Sequence, residues 1–278
     1  MRTACGWLGV AALLVLSELQ PNAAHCADTE PVFDVPKLEG ITVDGRPDDW
    51  GAGGLCASLL APVNGWSQAA ALRPADDHDV RIRLGWNDEG LLALVTLCDD
   101  EWLEHPDDAW LFTHDAIEMF LGTRRGAPDF CQWVIAPGMV PDQTEVRWHS
   151  YDHRSDPAIT DRPLTIAVAR TRSGQGCVLE VLLPWHQLGI EPAVGREVGF
   201  QLWVNDLDSA DQGILTHHVP WHRLVGTNVG SDRMNRVRLA TGASPPQHFG
   251  AAVECDLDRG HPLPQGRLAA RGGHRHPG

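Results

Sequence analysis

Residues 116–121 (AIEMFL) constrain the fold more than any other stretch of the chain. Read with the two-residue period of a strand, Ala116, Glu118 and Phe120 share one face, and Ile117, Met119 and Leu121 share the other. Both faces are largely apolar, which places the strand in the middle of a sheet covered on both sides. Glu118 is the exception. A carboxylate on such a strand costs free energy unless something hydrogen-bonds it or pairs its charge. Trp110 lies just upstream, where a loop rises beside the strand. A flat apolar ring next to a buried acceptor grips a polar ring such as a sugar; a Glu118 paired with a core Arg is the competing reading.

The surrounding chain is strand after strand. Residues 80–86 alternate, with Val80, Ile82 and Leu84 inward and Arg81 and Arg83 outward. NDEG at 87–90 is a hairpin turn from which 91–98 returns as a more buried strand. Further strands are expected at 40–44, 130–135, 145–149, 164–169, 177–183 and 200–206, with a single helical turn at Trp185–Leu188. Glu180 also sits on a mostly apolar strand, and Gln201, Trp203 and Asn205 share one face of the last one. Short strands cut by Gly and Pro, with no βαβ rhythm, predict an all-β, antiparallel two-sheet sandwich.

The ends read differently. Arg2 followed by the apolar run 8–16 is too short to span a bilayer and reads as a signal peptide at 1–26, cleaved near residues 23–27. The mature protein is then exported, periplasmic or extracellular. Residues 241–278, rich in Pro, Gly and His, are expected to be a mostly disordered tail, and 65–78 a surface loop. His274 and His276 in the tail are read as solvated rather than metal-binding.

The formal charge of −15 opposes nucleic acid and anionic membrane as partners. Eleven Trp against one Tyr suits both sandwich cores and ligand platforms. Trp50, Trp86 and Trp203 are assigned to the core, and Trp102 to a possible extension of a platform. Of the seven Cys, five or six survive cleavage. Export permits one or two bridges, with Cys98, Cys131 and Cys177 as candidates, and no spacing indicates zinc. His149 with His153, and His218 with His222, fall outside helices and are read as surface residues.

ITVDGRPDDW, RIRLGWNDEGLLALVTLCDD, HDAIEMFLG, CQWVIAPG, LEVLLPW and VGFQLWVNDLD occur in that order between residues 31 and 240. This series resembles the family 9 carbohydrate-binding module, which has a DOMON-like antiparallel β-sandwich. In the family's sugar binders two Trp rings sandwich a terminal sugar while a Glu and amides bond its hydroxyls. The resemblance implies Trp110 as the first ring, Glu118 of the Asp115-to-Glu118 D-x-x-E motif as the acid, and Gln132 as an amide. Val134 stands where those binders have Arg, and no aromatic residue lies between His222 and Phe249 to supply the second ring. Trp221 is the substitute if its loop folds inward, and Asn205 a further polar contact or a strand-end bond. The family's structural calcium makes Asp44, Asp48, Asp99 and Asp100 candidate oxygen ligands; Asp206 and Asp208 cap a turn equally well.

A non-catalytic carbohydrate binder is therefore expected, holding the ends of oligosaccharides or polysaccharides, with a glycoside hydrolase as a partner. It requires no cofactor beyond structural calcium. Two alternatives remain. A glycoside hydrolase would pair Glu118 with Asp206 or Glu180 across a cleft. A haem-binding DOMON relative would need an axial pair such as Met119 or Met139 with His.

Overall fold

The computed structural model describes residues 31–58, 78–174, 176–209, 217–221 and 230–248. The expected leader, nearly all of the loop at 65–78, His222, Cys255, His274 and His276 lie outside these residues. Among the described residues, thirteen strands follow one another. They are β1 (Val32–Pro36), β2 (Leu55–Ser58), β3 (His78–Trp86), β4 (Gly90–Asp99), β5 (Ala116–Gly122), β6 (Phe130–Ala136) and β7 (Arg147–Asp152). After these come β8 (Ala167–Ser173), β9 (Gly176–Pro184), β10 (Glu197–Asp206), β11 (His217–Pro220), β12 (Asn235–Ala240) and β13 (Gln247–His248).

They form two sheets, as the alternation predicts. The first runs β1-β12-β10-β5-β6-β7, with β11 also paired to β10; the second runs β13-β2-β3-β4-β9-β8. Pairing is antiparallel except for β1 with β12 and β13 with β2. The inward residues of β5 (Ile117, Met119, Leu121), β10 (Phe200, Leu202, Val204) and β6 (Cys131, Trp133, Ile135) meet those of β3, β4 and β9 in one buried core. Trp86 belongs to that core, and Trp102 packs against it rather than extending a platform.

Both sheets are also covered outside, which is why their central strands are apolar on both faces. Trp50, Leu92 and Leu94 cluster on the second sheet under Leu38, Ile41 and Val43. On the first, Trp203 packs with Phe120, Phe130 and Met234, and Leu111 packs with Ala116, Val134 and Ala136.

Several sequence expectations are corrected. Residues 40–44 are not a strand; Ile41 and Val43 lie over the second sheet, and the Asp44 N–H donates to Glu180 (2.9 Å) instead of a neighbouring strand. The strand expected at 164–169 begins only at Ala167. The buried Gln187 amide takes both backbone groups of Thr165 (2.8 and 2.6 Å) and so replaces a ladder there. The fold continues past residue 240, because β13 joins β2 and Ser244 Oγ accepts from the Asp34 N–H at 2.7 Å. Cys131 and Cys177 carry free thiols. Cys177 stands opposite Leu97 and Cys98 opposite Gly176, so the two thiols emerge on opposite faces of the sheet. Burial pushes the Cys131 and Cys177 thiols up to about 12, leaving them unreactive.

Candidate functional site

The candidate site lies on the outer face of the first sheet. Strand alternation and register set it out. Glu118 on β5 stands opposite Val134 on β6 and Trp203 on β10. Gln132 on β6 stands opposite Phe120 and Tyr151, and Asn205 on β10 stands opposite Ala116. Glu118 Oε2 accepts from Gln132 Nε2 at 2.7 Å, and Oε1 accepts from Asn205 Nδ2 at 2.6 Å. The acid is 2% exposed and, among the described residues, has no arginine partner, so two amides rather than a core ion pair hold it there. Burial raises its carboxyl to about 7, against the downward pull of the two amides.

Trp110 lies in the turn that precedes β5, which is bonded to this acid through Asn205. The Asp107 carboxylate accepts from the Ala109 N–H (3.0 Å) and caps a 3-10 turn at Asp108–Thr113. The turn buries Leu111 and leaves Trp110 53% exposed. The Phe112 ring lies 5.8 Å from Trp110 and 6.0 Å from Tyr151, and the Phe112 carbonyl accepts from Asn205 Nδ2 at 3.2 Å. Tyr151 Oη donates to the Ala109 carbonyl (2.7 Å), and Arg147 donates to Asp108 (2.8 Å) and the His105 carbonyl (2.8 Å), so β7 clamps the turn. His153 stacks on Phe130 at 4.3 Å and its Nε2 lies 3.1 Å from Gln132 Oε1. Because that oxygen only accepts, Nε2 must carry the proton.

Phe112, Tyr151 and His153 were not among the residues expected from the sequence. The signal for Tyr151 was the alternation of β7, where Trp148 packs on the core and Arg147, His149 and Tyr151 face out. Trp221 is a correction in the other direction. It is fully buried, with its ring 5.0 Å from Phe33 and 5.9 Å from Phe200, so it cannot be a second platform.

The two proposed catalytic pairs do not share a cleft. Glu180 lies on the outer face of the opposite sheet, where it accepts from the N–H groups of Asp44, Gly45 and Arg46 and from the Trp50 indole. Asp206 follows Asn205 and emerges on the other face of β10 from it. Of the two methionines considered for haem, Met119 is buried in the core, and the sulfur of Met139 accepts from Arg170 at 3.7 Å.

The calcium candidates divide. Asp44 Oδ1 accepts from the Arg46 N–H (2.9 Å), Asp48 lies in the turn Pro47–Trp50, and Asp100 is exposed. Among the described residues, only Asp99 of the four joins a group of three acids able to hold an ion. The other two are Asp115 and Asp206; ligand oxygens of all three lie within 4.8 Å of one another, and all three residues are buried. Asp115 also accepts from the N–H groups of Leu103 (2.5 Å) and Leu207 (2.7 Å). Burial, then the charge of Asp99, raises its carboxyl to about 8. Three buried acids with oxygen donors at this spacing fit a hard divalent cation, which would offset their mutual repulsion.

Comparison with known proteins gives the same architecture. A family 9 carbohydrate-binding module from Caldicellulosiruptor kristjanssonii in complex with cellotriose is 14% identical, with a TM-score of 0.54, over 79% of this chain and 97% of that one. The glucose complex of a module of that family from the same organism aligns over the same shares at 14% identity with a TM-score of 0.53. A putative carbohydrate-binding protein from Bacteroides uniformis is 9% identical over 74% of this chain and 97% of that chain, with a TM-score of 0.52. No curated protein sequence matches. The family model described as "Carbohydrate family 9 binding domain-like" matches residues 61–240, well over half of the chain, and the protein belongs to that family.

Proposed function

We propose that this protein is an exported, non-catalytic carbohydrate binder that holds a sugar at the end of a glycan against Trp110, with Glu118, Gln132 and Asn205 bonding its hydroxyls. Supporting this above all is a buried acid that, among the described residues, only neutral amides hold, placed in one bonded network with a turn that leaves an indole more than half exposed. Stacking on one indole contributes about 0.5–2 kcal/mol, so affinity in the micromolar to millimolar range is expected. The related module that holds cellotriose points to β-linked glucose chains as the first ligands to try. A glycoside hydrolase acting on the same polymer is the proposed partner.

Calorimetric titration with cellobiose, xylobiose and their reduced forms tests the reading. Binding weakened about fivefold by Trp110→Ala supports it, and binding left unchanged by that substitution overturns it. Asp99, Asp115 and Asp206 are proposed as the structural calcium site, pinning the loops before β5 and after β10. Chelation is then expected to lower the melting temperature of the wild type and to leave Asp115→Asn unaffected.

A further inference from the structure

Counting donors and acceptors around Glu118 says more about the ligand than the presence of an indole does. Both N–H groups of the Asn205 amide are committed, one to Glu118 Oε1 and one to the Phe112 carbonyl. The Gln132 amide gives one N–H to Glu118 Oε2 and keeps a second, and its oxygen is met by His153. Asn205 Oδ1, on a side chain that is 1% exposed, has no hydrogen-bond partner. Among the described residues, no arginine or lysine bonds Glu118. Beside the remaining Gln132 N–H, the site therefore offers a buried carboxyl with no cationic partner among the described residues and a carbonyl oxygen left open, both acceptors. Whatever binds has to bring donors.

A hydroxyl brings one donor and no charge. An ammonium group brings three donors and the missing positive charge, and charge-assisted hydrogen bonds are roughly twice as strong as neutral ones. A buried carboxylate without a counter-ion carries a desolvation cost of several kcal/mol, which a bound cation offsets and a hydroxyl does not. The rings of Trp110, Phe112 and Tyr151 pack on one another, and the Phe112 carbonyl accepts from the same Asn205 amide that bonds Glu118; aromatic faces attract cations. The chain's formal charge of −15 raises the local concentration of any cationic ligand.

We propose that the Glu118 site is selective for amino sugars, taking a protonated glucosamine-type residue in preference to its neutral counterpart; this rests on the sugar-binding reading above. The ammonium sits against the Glu118 carboxylate and Asn205 Oδ1, while the pyranose ring lies toward Trp110. N-acetylation removes the charge and adds bulk, so it abolishes the preference.

The test is calorimetric titration of the full chain with three disaccharides that share one linkage: cellobiose, the β-1,4 glucosamine disaccharide and its N,N′-diacetyl form. The glucosamine disaccharide is expected to bind at least about 10-fold more tightly than the other two, and Glu118→Gln to cut that preference to within about 2-fold. General attraction to an acidic surface is separated by salt. A buried pair keeps its preference at about 0.5 M NaCl, whereas a surface effect disappears there. That measurement uses the wild type and stands even if the variant misfolds.

Cellobiose binding as well as the amino disaccharide would overturn the inference and leave the sugar reading intact. No binding by any of the three would overturn both. A preference that survives in folded Glu118→Gln, or vanishes in salt, would take the selectivity away from Glu118.

Discussion

Glu180 on β9 and Glu118 on β5 occupy matching places, each facing away from the core on a strand that is apolar on both sides. Their surroundings differ in kind. Glu180 receives three successive backbone N–H groups, from Asp44, Gly45 and Arg46, at 2.9, 2.7 and 3.2 Å, and the Trp50 indole at 2.6 Å. That turn is fixed in shape: Gly45 has φ of +82°, and a Cβ there would meet the Arg170 backbone at 2.7 Å. Glu118 receives only two side-chain amides. A carboxylate wrapped by backbone donors has no capacity left for a guest, and its neighbouring indole is buried. One held by side chains keeps lone pairs and sits in a network with an exposed indole. The first acid holds a loop on the sheet; the second has the lone pairs that the proposed sugar site requires.

The contrast makes its largest prediction at Glu180. Glu180→Ala would strand four donors that the acid now satisfies, and is expected to destabilise by about 4 kcal/mol, read from denaturant midpoints. A change there no larger than that of Glu118→Gln would break the comparison.

The next effect is a pH dependence. The folded-state carboxyl of Glu118 lies near 7 against an ordinary value of 4.5, so between these the native state binds more protons than the unfolded chain. Its contribution to stability is complete below about pH 4.5 and is lost as pH rises through 7, by about 3 kcal/mol in all. Asp115 shifts in the same direction. The wild type minus Glu118→Gln difference therefore isolates Glu118, and a flat difference between pH 4 and 8 would show that the acid is solvated.

Smaller effects belong to the platform. Trp110→Ala is expected to leave stability within about 0.5 kcal/mol and to weaken sugar binding by about 1 kcal/mol, roughly fivefold. Tyr151→Phe removes the bond to the Ala109 carbonyl that steadies the turn. It should weaken binding by a few tenths of a kcal/mol, and binding left unchanged would show that the turn needs no clamp.

Much of the site was legible because its central residues sit on long alternating strands. Glu118, Gln132 and Asn205 announce their faces by parity alone, and register then brings them together. Phe112 and Tyr151 were missed because their roles depend on a 3-10 turn folding over β6 and β7, a contact between segments far apart in sequence. Trp221 was misplaced because an indole after a Pro-ended strand reads the same whether it faces a ligand or Phe33. Asp115 was not singled out as a candidate ion ligand, and Asp206 was balanced against a turn cap, for a similar reason: neither is near Asp99 in the chain, and the two sheets alone bring them within reach.

Local alternation and turn chemistry therefore decided the layered β architecture and the presence of an unusual acid on a central strand, since the side-chain period of two is a property of the backbone. Tertiary structure alone decided which acid is wrapped by a turn and which is left to amides, which indole is exposed, and which carboxylates converge. Those outcomes depend on distances between remote strands, and a chain's pattern does not encode such distances until the sheets have packed.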